Sequence, residues 1–176
     1  PFHFEEGVLS YVDHLSTGRV AEYRMSASAD GVEVETDKLS KAEQREARDR
    51  IAWMFGLDMD FSDFYAASRL EPKLARAKKQ ALGRVLRSPT LFEDVIKTVT
   101  SCNVTWPSTV IMNRRLCEVI GRGGAFPTPR RLARARAGTL RARCRVGYRD
   151  RRILELARMF ASGELDPAWF EDPATP

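Results

Sequence analysis

Lysine is missing from residues 114–158, although that segment carries fourteen arginines. Acids are nearly missing too: only Glu118, Asp150 and Glu155 occur there, giving a formal charge of +11 within a chain whose net charge is +5. No apolar run approaches the roughly 18 residues of a membrane span, and no secretory pattern opens the chain, so the expected setting is the cytoplasm or its nucleoid, without a membrane partner. The three cysteines, Cys102, Cys117 and Cys144, are odd in number and too far apart for a CxxC pair. They are expected to be reduced thiols, not a disulfide framework. Only two histidines occur, His3 and His14, both near the start. Nothing matches a nucleophile–base pair, a metal-ligand spacing or a glycine-rich phosphate loop, so neither metal nor cofactor is expected.

What is present is sorted charge. Residues 1–72 carry a net −7, residues 73–113 a net +5, and the tail from Met159 a net −4. A block of one sign suggests a polyanionic partner, and arginine offers phosphate a planar, bidentate fork that lysine lacks. The bland alternative is a solvated surface in which arginine replaces lysine without function. At 176 residues and 43% hydrophobic, the chain can bury a core as one domain or as a domain with an appendage. It begins at Pro1 and ends in Asp172-Pro-Ala-Thr-Pro176 without a capping element, and is expected to be a piece of a longer protein.

Residues 1–38 read as a partial β subdomain, with strands at 8–12, 19–26 and 32–36 and Asp30-Gly31 as a tight hairpin turn. From Leu39 the period becomes helical, and residues 39–176 read as one helical subdomain. Ser40 and Glu43 form a capping box before an apolar stripe of Ala47, Ile51, Met54 and Phe55 that ends at Gly56. Further helices are expected at 62–69 with Phe61, Phe64 and Tyr65 as the apolar face, at 72–80, and from Ser88-Pro89 with Phe92, Val95, Ile96 and Val99 buried. Pro107 opens the next, which runs to Gly121 with Val110, Ile111, Leu116 and Ile120 inward. Thr128-Pro129, 139–145, 147–161 and Asp166-Pro167 begin or span the last ones. The fold class is mainly α with a small N-terminal antiparallel β segment (α+β).

Three segments invite a chemical reading. Asp58, Asp60 and Asp63 read as acids at a helix start in preference to a metal site. Ser101–Trp106 is polar and aromatic between two apolar helices, where Asn103 suits a left-handed cap. In Cys144–Arg152, Gly147 permits close backbone approach, Tyr148 can stack, and Arg145, Arg149, Arg151 and Arg152 surround them. An aromatic among arginines suits a nucleic-acid backbone with an exposed base.

Leu86–Val95, Ser101-Cys-Asn103, Arg115–Glu118 with Gly121, Ala125–Pro129, Arg131–Ala133, Gly147–Arg149 and Ile153–Ala157 together resemble the helix-hairpin-helix (HhH-GPD) DNA glycosylase superfamily. The nearest branches are 3-methyladenine DNA glycosylase II and 8-oxoguanine DNA glycosylase. Leu39-Ser40, Gly56–Asp58 and Phe61–Tyr65 are similar to the former branch. The resemblance covers roughly residues 39–170 and implies base excision repair: a hydrolase that flips a damaged base from duplex DNA and cleaves its N-glycosidic bond. It implies that Asn103 inserts into the duplex, that Tyr148 wedges beside the stack and that Arg149 reads the opposite cytosine. Arg145 and Arg151 would add DNA-backbone contacts.

Ser108 stands where the 8-oxoguanine branch has a second reading arginine, so strict cytosine reading is not implied. The superfamily's glycine-rich hairpin and catalytic aspartate lie beyond the last motif matched, so no catalytic residue is assigned here. The expectation is a monomeric, double-stranded-DNA-binding fragment that is inactive alone. Two alternatives stay open: a non-catalytic helical DNA-binding module, and an arginine-rich protein-interaction domain.

Overall fold

The computed structural model describes residues 2–29, 31–172 and 174. Four antiparallel strands, β1 (His3–Glu5), β2 (Val8–His14), β3 (Val20–Ser28) and β4 (Gly31–Thr36), form a meander in the order β1-β2-β3-β4. Asp30 of the expected hairpin turn lies outside the described residues, and β1 is a strand that the expected set lacked. Tyr11 stands opposite Tyr23 in the β2–β3 register. The period-2 pattern puts Tyr11, Asp13, Ala21, Tyr23 and Met25 on one buried face.

Helix α1 (Lys41–Phe55) covers that face with Ala47, Ile51 and Met54, so residues on both sides of position 39 build one core. Its start is the reciprocal capping box expected from Ser40 and Glu43, and it ends at Gly56. Asp13, an acid on the sheet's inner face, is neutralised by Arg50 of α1 at 2.8 Å.

The second core is built by α3 (Leu91–Ser101), α4 (Trp106–Val119), α5 (Pro129–Ala133), α6 (Ala137–Ala142) and α7 (Asp150–Ser162). Phe92, Ile96, Leu116, Leu132, Leu140 and Ile153 meet there. The remaining helices, α2 (Ser62–Ser68) and α8 (Pro167–Glu171), lie outside both cores. A buried polar contact joins the two cores: Tyr11 donates its hydroxyl to Glu93 Oε2 of α3 at 2.6 Å.

Four expected elements come out differently. Residues 72–80 form successive hydrogen-bonded turns in place of a helix, because apart from the buried Ala77 that stretch has no apolar face to dock. The α3 cap is Thr90, not Ser88, whose hydroxyl is taken by Lys97 Nζ at 3.0 Å and whose N–H is taken by Asp94. The expected helix from Gly147 opens with a separate 3-10 turn, Gly147–Arg149. Finally, the aromatic face of α2 packs on itself and on Arg84, leaving Phe64 exposed.

The α4–α5 connection is tight at Gly121, where a Cβ would lie 2.1 Å from the Ala125 carbonyl oxygen and 2.3 Å from that of Cys117. Both obstacles are backbone, so nothing can swing aside. Gly121→Ala is expected to cost roughly 3 kcal/mol, read as a lowered midpoint in urea unfolding at unchanged slope.

Candidate nucleic-acid interface

Helix α3 ends because Cys102 turns to an extended conformation and Asn103 takes a left-handed one at φ 52°. Asparagine tolerates that region better than other side-chain-bearing residues. Thr105 then leads into α4, where Pro107 lies in the first turn and its missing N–H costs nothing. Asn103, Trp106 and Ser108 are all exposed, Trp106 by 73%.

A second loop leaves α6 through Cys144 and Val146, both fully buried. Between and after them Arg145 (φ 58°) and Gly147 (φ 63°) are left-handed. These reversals send Tyr148 outward, 69% exposed, and Arg149 inward, 6% exposed. Arg145 and Arg151 are exposed and have no ion-pair partner among the described residues.

Arg149 fastens the two loops together. Its Nη2 donates to the Cys102 carbonyl, 47 residues away, and its Nη1 donates to the Val146 carbonyl at 3.3 Å. The guanidinium also lies 4.5 Å from the Tyr148 ring centre. Asn103 and Tyr148, which flank this bond, therefore share one exposed edge. Arg149 sits behind that edge, with its fork committed to carbonyls and its buried Nε unpartnered among the described residues.

Beside the Asn103 loop runs a groove of about 400 Å3, walled by Phe2, Leu86, Thr98, Ser101, Trp106 and Val110. Asn113 closes its base. The Asn113 amide donates to Thr100 Oγ1 and to the Thr109 carbonyl, both at 2.9 Å, while its own Oδ1 has no partner among the described residues. The sequence reading missed this groove because it placed Val110 and Ile111 in the core, and both are exposed. Buried in their place are Thr109, Met112 and Asn113, one notch around the helix.

The remaining candidates settle into structural roles. Asp60 Oδ1 accepts from the Ser62 N–H at 2.9 Å, and hydrogen bonding to Ser62 holds its carboxyl below the usual range. No group of three or more metal-ligating side chains occurs among the described residues. Burial pushes the Cys144 thiol up to about 11 and raises that of Cys117, so neither is a ready nucleophile. Among the described residues no helix is long and apolar enough to cross a membrane.

No protein-family model and no curated protein matches the sequence. Solved structures do. The 3-methyladenine DNA glycosylase from Archaeoglobus fulgidus superposes with a TM-score of 0.70 at 22% identity, over 90% of this chain and 58% of its own. MBOgg1 in complex with a low-affinity DNA ligand gives 0.73 at 22% identity, over 97% and 59%. The apo form of the 8-oxoguanine glycosylase/lyase from Clostridium acetobutylicum gives 0.69 at 19%, again over 97% and 59%. The chain thus shares its fold with the matching parts of these DNA glycosylases, and it spans somewhat under three-fifths of the length of these three structures.

Proposed function

We propose that this chain is the duplex-opening portion of a base-excision-repair DNA glycosylase. The observation that carries the reading is the Arg149–Cys102 bond, which sets an exposed amide, Asn103, beside an exposed aromatic ring, Tyr148. An amide can fill the space of an extruded nucleotide and hydrogen-bond the base left behind, while a ring supports the broken stack. Exposed Arg145 and Arg151 flank the edge and suit phosphate contacts. The neighbouring groove, with Trp106 and Asn113 in its lining, offers an aromatic ring and an amide to a base displaced from the stack. The partner is double-stranded DNA holding a lesion, bound by a monomer.

The reading assigns recognition to these residues and leaves bond cleavage unassigned. The 176-residue protein is expected to bind a duplex containing one abasic site at least tenfold more tightly than the intact duplex, with log K falling against log salt. In single-turnover assays on duplexes carrying 8-oxoguanine or 3-methyladenine it is expected to release no base. Equal affinity for abasic and intact duplex would overturn the duplex-opening reading. Base release would overturn the division between recognition and chemistry.

A further inference from the structure

A second basic feature lies away from this edge. His14 at the end of β2, Arg122 in the α4–α5 loop, Thr128 at the cap of α5, and Arg130, Arg131 and Arg134 enclose a concavity of about 450 Å3. No acid lines it. Among the described residues none of these four arginines makes an ion pair. The nearest acid in sequence to His14, Asp13, is occupied by Arg50 at 2.8 Å and by the Tyr23 hydroxyl at 3.3 Å.

The wall is held in shape from two sides. Arg131 Nε donates to the Ile120 carbonyl at the end of α4, and Gly123 lies so close to the start of β3 that a Cβ there would meet Val20 at 3.2 Å. Ile120 is at the C-terminal end of α4, whereas the Asn103 loop precedes its N-terminal end. Fourteen residues of helix put roughly 20 Å between the two features. The concavity is therefore separate from the Asn103–Tyr148 edge.

We infer that this concavity is a binding site for clustered phosphate oxyanions. Four guanidinium groups without counter-charges repel one another, and an anion with several oxygens relieves that repulsion while accepting bidentate hydrogen bonds. Each side chain in the lining is charged or polar. The adjoining cleft of Phe92, Phe126 and Phe160, which shares His14, Thr128 and Arg130 with this lining, also carries Asp13 and Glu93 and so repels an acidic peptide. The concavity itself offers such a peptide no apolar anchor, and anchors carry most of the energy of protein interfaces. A compact polyphosphate, or consecutive phosphates of a nucleic-acid backbone, needs none. The backbone source rests on the function proposed above; the free oligophosphate source does not.

Calorimetric titration of the 176-residue protein with inorganic tripolyphosphate tests the site. Saturable one-to-one binding is expected, weakened at least tenfold in Arg130→Gln/Arg134→Gln and severalfold in Arg122→Gln, which sits on a different segment. Tyr148→Ala is expected to bind tripolyphosphate as the unmodified protein does, even where it loses preference for abasic duplex, so the two proposals can fail separately. Binding to undamaged duplex distinguishes the sources. A salt slope shallower by about two in the double variant assigns the site to the DNA backbone. An unchanged slope, with tripolyphosphate binding lost, assigns it to a free oligophosphate. The inference is overturned if tripolyphosphate fails to saturate the unmodified protein, or if it binds all three arginine-to-glutamine sites unchanged, whatever the duplex does.

Discussion

Glu93→Ala is expected to destabilise the fold by about 4 kcal/mol and to separate the unfolding of the two cores. The carboxylate is 3% exposed and serves both sides of the joint. On one side it accepts the Tyr11 hydroxyl from the sheet at 2.6 Å. On the other, Lys97 Nζ lies 2.5 Å from Oε1 as an ion pair that lacks hydrogen-bond alignment. The ammonium is held further by the Ser88 hydroxyl and lies 4.5 Å from the Phe2 ring.

Deleting the carboxylate strands the buried Tyr11 phenol and leaves the part-buried Lys97 ammonium without its counter-charge, which costs more than the lost bonds themselves. Tyr11→Phe removes only one donor and is expected to cost about 1 kcal/mol. Glu93→Gln, which keeps an acceptor without charge, should fall between. Urea unfolding followed by both far-ultraviolet circular dichroism and tryptophan fluorescence reads the result. Coincident transitions in Glu93→Ala, with a loss no larger than in Tyr11→Phe, would contradict the role given to this joint.

The joint also carries a pH dependence. Burial, and then the Glu93 charge, raise the Tyr11 hydroxyl well above the ordinary tyrosine value of 10.0; burial and Asp13 do the same for Tyr23. Both groups therefore bind their protons more tightly when folded than when unfolded. Their contribution is fully present below pH 10 and declines as the pH rises past that value toward the folded pKa.

These contacts show what a single sequence discloses and what it does not. The Ser40–Glu43 box, the cap at Thr128 and the left-handed Asn103 were legible because each rests on residues within a few positions of one another. Ser88 misled because its competing partners, Asp94 and Lys97, are reached only after α3 has formed. The rotation of α4 that exposes Val110 and Ile111 was hidden for a related reason: Thr109 and Asn113 look polar, yet their buried hydrogen bonds to α3 make them interior residues. Motif resemblance located Tyr148 and Arg149 and brought Asn103 into the same set. It did not disclose that Arg149 faces inward, since its partner lies 47 residues away. Within the arginine block, likewise, Arg149 forms a clasp behind one edge while Arg122, Arg130, Arg131 and Arg134 line a concavity at the far end of α4.

Arg149 is therefore expected to act on DNA through the loops it joins. Arg149→Ala frees the Cys102 carbonyl and lets the Asn103 turn drift from Tyr148. Arg149→Lys should fare little better, because one compact ammonium cannot reproduce a planar fork spanning the Cys102 and Val146 carbonyls. Both variants are expected to lose at least tenfold of the preference for abasic over intact duplex, about 1.4 kcal/mol, while binding intact duplex within twofold of the unmodified protein. The comparison at Asn103 must respect its φ of 52°. Asn103→Ala forces a β-carbon into the left-handed region and adds roughly 1 kcal/mol of strain, whereas Asn103→Gly deletes the amide with the turn intact. Asn103→Gly should thus match the unmodified protein in thermal stability to within a few degrees and lose the same tenfold preference. If Asn103→Gly keeps its preference, the amide does not enter the duplex. If Arg149→Lys keeps its preference while Arg149→Ala loses it, positive charge matters and the clasp does not.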